Sequence, residues 1–232
     1  MFTPINMTAK PQTTSIHKYA LSKCLTNEEI TNLKNKGEEI VLMKDEKIFS
    51  QGEECYHWYY LMDGIVKITH ESGFGKEVIK SIVHGEHIIN ELELGKSTLH
   101  HDSAIIISNS AKFLKLESAL LFDLVRTNST FALCLVDFLT CRLKMSEKRL
   151  ESLALSDARE RIVGFLKDNA EKFGTPVGFE MLLKHNFTQQ DIANYTGTSR
   201  QTVTTVLNDL KKNNKINFRR KSILIRDLKT LI

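Results

Sequence analysis

Proline and glycine are scarce in this 232-residue chain, at three and eleven. That leaves little room for long linkers and excludes a Pro/Gly-rich low-complexity protein. No apolar run approaches the roughly 18 residues a membrane span needs, so no transmembrane helix is expected. The opening stretch, MFTPINMTAKPQTTSIHKYA, has no apolar core behind a basic end, so no secretory signal is expected. Cys24, Cys55, Cys134 and Cys141 stand far apart without C-x-x-C spacing. Reduced thiols in a cytoplasm are the corresponding expectation. The spacings H-E-x-x-H, G-x-S-x-G and the P-loop are absent, and nothing in the sequence brings His57, Asp63 and Glu91 together. No enzyme and no cofactor are expected.

What is present is ordinary globular composition, 41% apolar and 26% charged. The length suggests one or two domains at roughly 100–200 residues each. Charge is unevenly placed. Residues 1–156 carry 18 Lys and Arg against 20 Asp and Glu, whereas residues 157–232 carry 14 against 8. A basic C-terminal third on a slightly acidic body suits a phosphate-bearing partner, although a solvated basic face would read the same.

The first 20 or so residues show no period and read as a loose arm. Thr26 and Glu29 have capping-box spacing, which predicts a helix running to about Lys36 and ending near Gly37. Short apolar or alternating runs then recur about every ten residues: 40–42, 58–61, 65–68, 78–83, 104–107 and 113–116. Gly52, Asp63-Gly64, Gly73-Phe74-Gly75, Gly85 and Gly95 punctuate them. This pattern predicts eight short strands between about 38 and 117, as a jelly roll.

From Ser118 the period becomes helical. Residues 130–154 hold neither glycine nor proline. Val136, Leu139, Leu143, Ser146, Leu150 and Leu153 recur at spacings of three and four, as in a coiled-coil seam. Phe131, Leu135, Phe138 and Met145 form a second stripe. One helix with two apolar faces can pack on its own β domain and on a twin, so a homodimer through Val136, Leu139, Leu143, Leu150 and Leu153 is expected. A single buried helix of a monomer is the plainer alternative. Asp157, with Glu160 three residues on, predicts a capped break and a further helix ending at Gly174.

The strongest local signal is FTQQDIANYTGTSRQTVTTVLNDLKKNNKI. With Gln189 as the first position, Ala193 falls where two helices cross and Gly197 where the turn needs positive φ. Val203 and Val206 lock the second helix on the first, and Thr188 and Ser199 can cap the two. Arg200, Gln201, Thr204, Thr205 and Asn208 are left facing outward, cationic or uncharged, as a helix entering a major groove requires. Residues 216–218 and 223–225 read as strands around Arg219-Arg220-Lys221-Ser222, a basic wing. The candidate DNA contacts are Thr188, Gln190, Ser199, Arg200, Gln201, Thr202, Thr204, Thr205, Arg219 and Lys221. An ordinary helix hairpin would need the same alanine and glycine but not the basic wing tip.

From roughly 22 to 230 the chain resembles the Crp/Fnr family of bacterial transcription regulators. The matching pieces are GEECYHWYYLMDGIVKI, GKEVIKSIVHGEHIINE, CRLKMSEKRLESLALSDARERI and TQQDIANYTGTSRQTVTTVLNDL. The resemblance implies an α+β fold in four parts. These are an arm (1–21), a cyclic-nucleotide-binding-type β-roll or jelly roll as sensor (22–128), a long dimerisation helix with hinge (129–156), and a winged helix-turn-helix (157–232). It also implies a palindromic double-stranded DNA site, a homodimer and RNA polymerase as partners.

The resemblance further places Glu91, Asp102, Ser103, Arg142 and Ser146 around an effector pocket. Cyclic-AMP-binding members resemble G-E-L followed by R-S-A, the arginine and the glycine amide holding the phosphate. Here those positions read Asn90-Glu91-Leu92 and Asp102-Ser103-Ala104. An aspartate in the arginine's place repels phosphate, so binding of cyclic AMP in the usual way is not expected. The iron–sulfur branch needs several N-terminal cysteines, and only Cys24 lies there. Cys134 and Cys141, seven apart, would share a helix face, as redox thiols or as small buried hydrophobes. His84, His87, His100 and His101 bracket the cassette, as haem or metal ligands or as solvated loop histidines. The effector stays unidentified. A cyclic-nucleotide-, haem- or redox-responsive regulator, or a non-DNA-binding interaction module, remains an alternative.

Overall fold

The Thr26–Glu29 box forms as its spacing predicts. The Thr26 hydroxyl accepts from the Glu29 amide at 3.2 Å, and the Glu29 carboxylate accepts from the Thr26 amide at 2.8 Å. It starts α1 (Asn27–Lys36), which ends at Gly37. The computed structural model describes residues 24–89 and 99–231. The expected arm, the turn at Gly95, and Asn90 and Glu91 of the cassette lie outside the described residues.

The eight strands expected between 38 and 117 are β1 (Glu38–Met43), β2 (Lys47–Phe49), β3 (His57–Asp63), β4 (Ile65–Glu71), β5 (Glu77–His84), β6 (His87–Ile89), β7 (Ser103–Ile106) and β8 (Ser110–Glu117). They form two antiparallel sheets, in the orders β1-β8-β3-β6 and β2-β7-β4-β5. Period-two alternation divides their side chains between two cores. Leu61, Val66, Ile106 and Phe113 fill the space between the sheets. Trp58, Leu114 and Leu116 point to the other face of the first sheet, where helices cover them. Gly64 turns β3 into β4 at φ +109°, and a Cβ there would stand 2.6 Å from the Ala111 Cβ. Both the dihedral and the space require glycine.

Two helices follow, α2 (Ser118–Thr127) and α3 (Ser129–Leu155), bent by 113° from each other. Asn128 makes the corner: its side chain caps α3 by accepting from the Phe131 amide at 2.9 Å and donates to Glu29 at 2.6 Å. The α3 residues Phe131, Leu135, Phe138 and Cys141 are buried. Met145, expected in that stripe, is more than a third exposed and lines a cavity instead. No single described helix is long and apolar enough to cross a bilayer.

The Asp157–Glu160 box starts α4 (Ala158–Phe173), which ends at Gly174 as expected. Residues 175–184, for which no strands are expected, form β9 (Thr175–Val177) and β10 (Glu180–Lys184). After α5 (Gln189–Thr196) and α6 (Arg200–Lys212) come β11 (Ile216–Arg219) and β12 (Ser222–Ile225). The wing is thus one edge of a four-stranded sheet, β11-β12-β10-β9, rather than an isolated hairpin. Ile162, Leu166, Leu183, Ile192, Val203 and Leu210 belong to the core of this C-terminal unit, and Ile82 of β5 packs against it.

Candidate nucleic-acid interface and effector cavity

The helix-turn-helix is built by its caps and its turn. Thr188 and Asp191 form a capping box at the start of α5, and Ser199 caps α6 by accepting from the Thr202 amide at 3.0 Å. Between them Gly197 sits at φ +64°, a left-handed conformation that costs a β-carbon residue roughly 1–2 kcal/mol. Ala193 and Val203 are fully buried where α5 meets α6. Arg161 fixes the turn from α4, donating to the Thr196 carbonyl at 2.8 Å and the Ser156 carbonyl at 2.6 Å.

The outward face of α6 differs in part from its expectation. Arg200, Gln201, Thr205 and Asn208 are exposed, and Thr188, Gln190 and Ser199 are exposed beside them. Thr202 and Thr204 are half-buried. The Thr204 hydroxyl is 2.7 Å from Gln189 Oε1 and 2.9 Å from the Arg200 carbonyl, so it serves α5–α6 packing more than an incoming base. The Thr205 hydroxyl donates to the Gln201 carbonyl at 3.0 Å. On the wing, Arg219, Arg220 and Lys221 are exposed at the β11–β12 turn. The Lys211 ammonium lies 5.3 Å from the Phe218 ring centroid and joins the wing to α6.

On α3 the expected seam is an uncovered apolar row. Val136, Leu139, Leu143, Leu150 and Leu153 are exposed, Leu143 by 60% and Leu150 by 68%.

A cavity of about 230 Å³ lies between β5, α3 and the C-terminal unit. Asp102, Arg142 and Ser146 line it, as do Lys80, Arg149 and Tyr195. Ser103 does not: it is buried, and its hydroxyl accepts from the Gln51 amide at 2.9 Å. The expectation for Asp102 as a bare repelling charge needs correction. Asp102 is buried, bound by the Lys80 ammonium at 2.7 Å and by His70 at 3.1 Å. Its charge is compensated, and the lysine that compensates it is engaged in doing so.

The histidines also depart from the solvated-loop reading. His100 is buried and stacked on Phe49 with centroids 3.8 Å apart, and His84 on β5 stacks on Phe173 at 3.4 Å. His84 and His87 line the cavity, while His101 is exposed. Among the described residues no three His, Cys, Asp or Glu side chains gather as metal ligands. Cys141 is buried and Cys134 half-buried, and neither is in a disulfide.

Arg149 is a residue that sequence reasoning missed. Its guanidinium donates to the Lys80 carbonyl and to the Tyr195 carbonyl, each at 2.6 Å, and lies 4.5 Å from the Tyr195 ring centroid. Burial pulls its pKa below the ordinary arginine value. No local signal marks it, because its partners are 69 and 46 positions away.

Residues 160–232 match the Crp-like helix-turn-helix domain and residues 39–128 the cyclic nucleotide-binding domain. A CRP-like cAMP-activated global transcriptional regulator of Mycobacterium tuberculosis is 27% identical over 184 residues, covering 79% of this chain and 82% of that protein. A global nitrogen regulator of Nostoc is 26% identical over 194 residues, covering 81% and 85%. Among solved structures, FixK2 from Bradyrhizobium japonicum shares the fold at a TM-score of 0.73 and 21% identity, covering 84% of this chain and 95% of that one. A CooA mutant from Carboxydothermus hydrogenoformans does so at 0.74 and 21%, covering 95% of each. With a nucleotide-binding-type double sheet, a long helix and a winged helix-turn-helix in that order, the chain belongs to the Crp/Fnr family of transcription regulators.

Proposed function

We propose that two copies of this chain pair through α3 and read a palindromic DNA site, one α6 in each of two major grooves about one helical turn apart. The observation that carries this reading is the outward face of α6. Arg200, Gln201, Thr205 and Asn208 are exposed and carry no negative charge, and the exposed Arg219-Arg220-Lys221 turn lies on the same C-terminal unit. A guanidinium at Arg200 fits guanine N7 and O6 as a fork, the Gln201 amide fits adenine N6 and N7, and the Thr205 methyl fits thymine. Each half-site then keeps one G·C pair within A·T-rich sequence. The arginines and lysine of the wing meet phosphates and set the salt dependence.

The exposed row on α3 supports self-association, since apolar side chains in register along one helix face gain most by meeting their own copies. The protein regulates transcription with RNA polymerase as partner, in the cytoplasm and without catalysing a reaction. Its domains follow the divisions 1–21, 22–128, 129–156 and 157–232. The effector pocket around Asp102, Arg142 and Ser146 does not take cyclic AMP in the usual way. A carboxylate held by Lys80 and His70 occupies the place of the arginine fork, and a phosphate would have to displace it from both. Selection of bound duplexes from a random DNA pool, followed by sequencing, tests the proposal. Two half-sites with one required G·C pair each are expected. A site with several required G·C pairs per half, or none, would refute the assignment of α6.

A further inference from the structure

The cavity beside β5 joins an apolar wall to a surplus of positive charge. Phe138 and Met145 of α3, Phe165 and Phe173 of α4, and Ile82 and Val83 of β5 line it. Spacings of seven and eight keep each helical pair on one face of its helix, so both helices turn an apolar stripe inward. Among the described residues four cations also line it, Lys80, Arg142, Arg149 and Lys172, against two carboxylates, Asp102 and Asp168. Each carboxylate is already paired with a lysine, Asp102 with Lys80 at 2.7 Å and Asp168 with Lys148 at 3.3 Å.

Arg149 is the cation whose charge stays uncompensated. It is half-buried, and its guanidinium donates to two neutral carbonyls, those of Lys80 and Tyr195. No carboxylate of the described residues pairs with it, and burial pulls its pKa down with only Tyr195 opposing. The Tyr195 ring, 4.5 Å away, offsets part of the lost hydration but carries no full charge. A desolvated guanidinium without a counter-ion is destabilising, and an anion brought to it is favoured accordingly. The space sets the size of that anion. An apolar cavity of about 150 Å³ holds a benzene ring, so this one admits roughly nine or ten non-hydrogen atoms in its 230 Å³. A cyclic nucleotide has about twice as many and exceeds it.

We propose that this cavity binds a small apolar monocarboxylic acid, its carboxylate on Arg149 and its hydrocarbon body against Phe138, Phe165 and Phe173. The proposal rests on the effector-pocket reading above for its place and is independent of the DNA-binding reading. A carboxylate supplies the single negative charge that Arg149 lacks, as a charge-assisted hydrogen bond. The hydrocarbon body leaves water for an apolar wall, which stabilises the complex in proportion to the area covered. A phosphate ester brings a second charge that would have to be desolvated beside the same wall, with Lys80 already engaged by Asp102. An amine would meet the surplus of cations and is repelled.

Calorimetric titration of the full chain tests it with two acids of the right size, octanoate and 4-methylbenzoate. Their uncharged amides, octanamide and 4-methylbenzamide, keep the shape and remove the charge. At least one acid should saturate the protein at about 10–300 µM, with its amide at least tenfold weaker. Arg149→Gln should bring acid and amide to within about threefold of each other, whereas a residue that only braces the fold would weaken both alike. Met145→Trp leaves Arg149 and its bonds in place and fills part of the cavity, so it should weaken the acid at least tenfold. No saturable heat from either acid up to several millimolar would overturn the proposal. So would equal affinity for acid and amide, an acid-to-amide ratio unchanged by Arg149→Gln, or an affinity unchanged by Met145→Trp. Cyclic AMP, titrated in parallel, reads the underlying pocket assignment: saturable heat from it would overturn the exclusion of cyclic AMP, whatever the acids do.

Discussion

Leu143→Glu places a charge in the middle of the exposed row on α3. Leu143 is 60% exposed in the single chain, so the substitution removes little packing within a protomer and should leave each one folded. Its effect falls on pairing. Covering the exposed half of one such side chain contributes about 1–1.5 kcal/mol. Val136, Leu139, Leu143, Leu150 and Leu153 on two chains then supply roughly 10–15 kcal/mol gross, against about 4–15 kcal/mol lost in association. The margin is small. Losing two Leu143 side chains removes about 2–3 kcal/mol, and two carboxylates facing each other without cations add about 1–2 kcal/mol each. A total of roughly 4–7 kcal/mol weakens the dimer by about 10³- to 10⁵-fold. Sedimentation velocity at micromolar protein should show a monomer with wild-type circular dichroism, and binding to a palindromic duplex should collapse. A variant that still sediments as a dimer would refute the seam.

Arg200→Ala should cost about 1–3 kcal/mol and relax preference at the single G·C pair of each half-site, as read by competition with substituted duplexes. Lys221→Ala should weaken all duplexes alike and lower the salt slope by roughly one. Lys221 sits at φ +66°, and alanine carries the same strain there, so the change reads the charge. Calorimetric titration with cyclic AMP should give no saturable heat at micromolar ligand, and tight binding would show that Lys80 leaves Asp102 to hold the phosphate. Burial holds the His185 imidazole below its ordinary pKa, against an opposing bond with the Phe187 carbonyl. Folding therefore favours the neutral ring, a contribution that is whole above about pH 6.5 and is lost as pH falls from there through the lowered value of the folded state. Melting followed from pH 7.5 to 5.5 should show the C-terminal unit losing stability, and His185→Gln should flatten the trend.

The helix ends were legible because capping is local: Thr26 with Glu29 and Asp157 with Glu160 form the boxes that their spacing announces. The strands of the roll were legible because alternation and turn residues recur within ten positions. The β9–β10 hairpin was not. Thr175-Pro176-Val177 is too short to show a period, and Met181-Leu182-Leu183 suits a helix as well as a strand. Of the candidate site, the α6 face was readable because a helix-turn-helix fixes its own geometry within about twenty residues. The neutralisation of Asp102 by Lys80 and the ion pair between Lys67 and Asp191 span 22 and 124 positions. Only the folded chain brings those groups together.

The central claim, sequence-specific recognition by α6, is tested most directly by fluorescence anisotropy of the full chain titrated onto a labelled duplex of the selected palindrome. The same duplex scrambled is titrated in parallel, at several salt concentrations. The account predicts a preference for the palindrome of about 10³-fold or more, reduced about 5- to 150-fold by Arg200→Ala, and a linear fall of log affinity with log salt. Equal affinity for the palindrome and its scramble, or a preference untouched by Arg200→Ala, would contradict it.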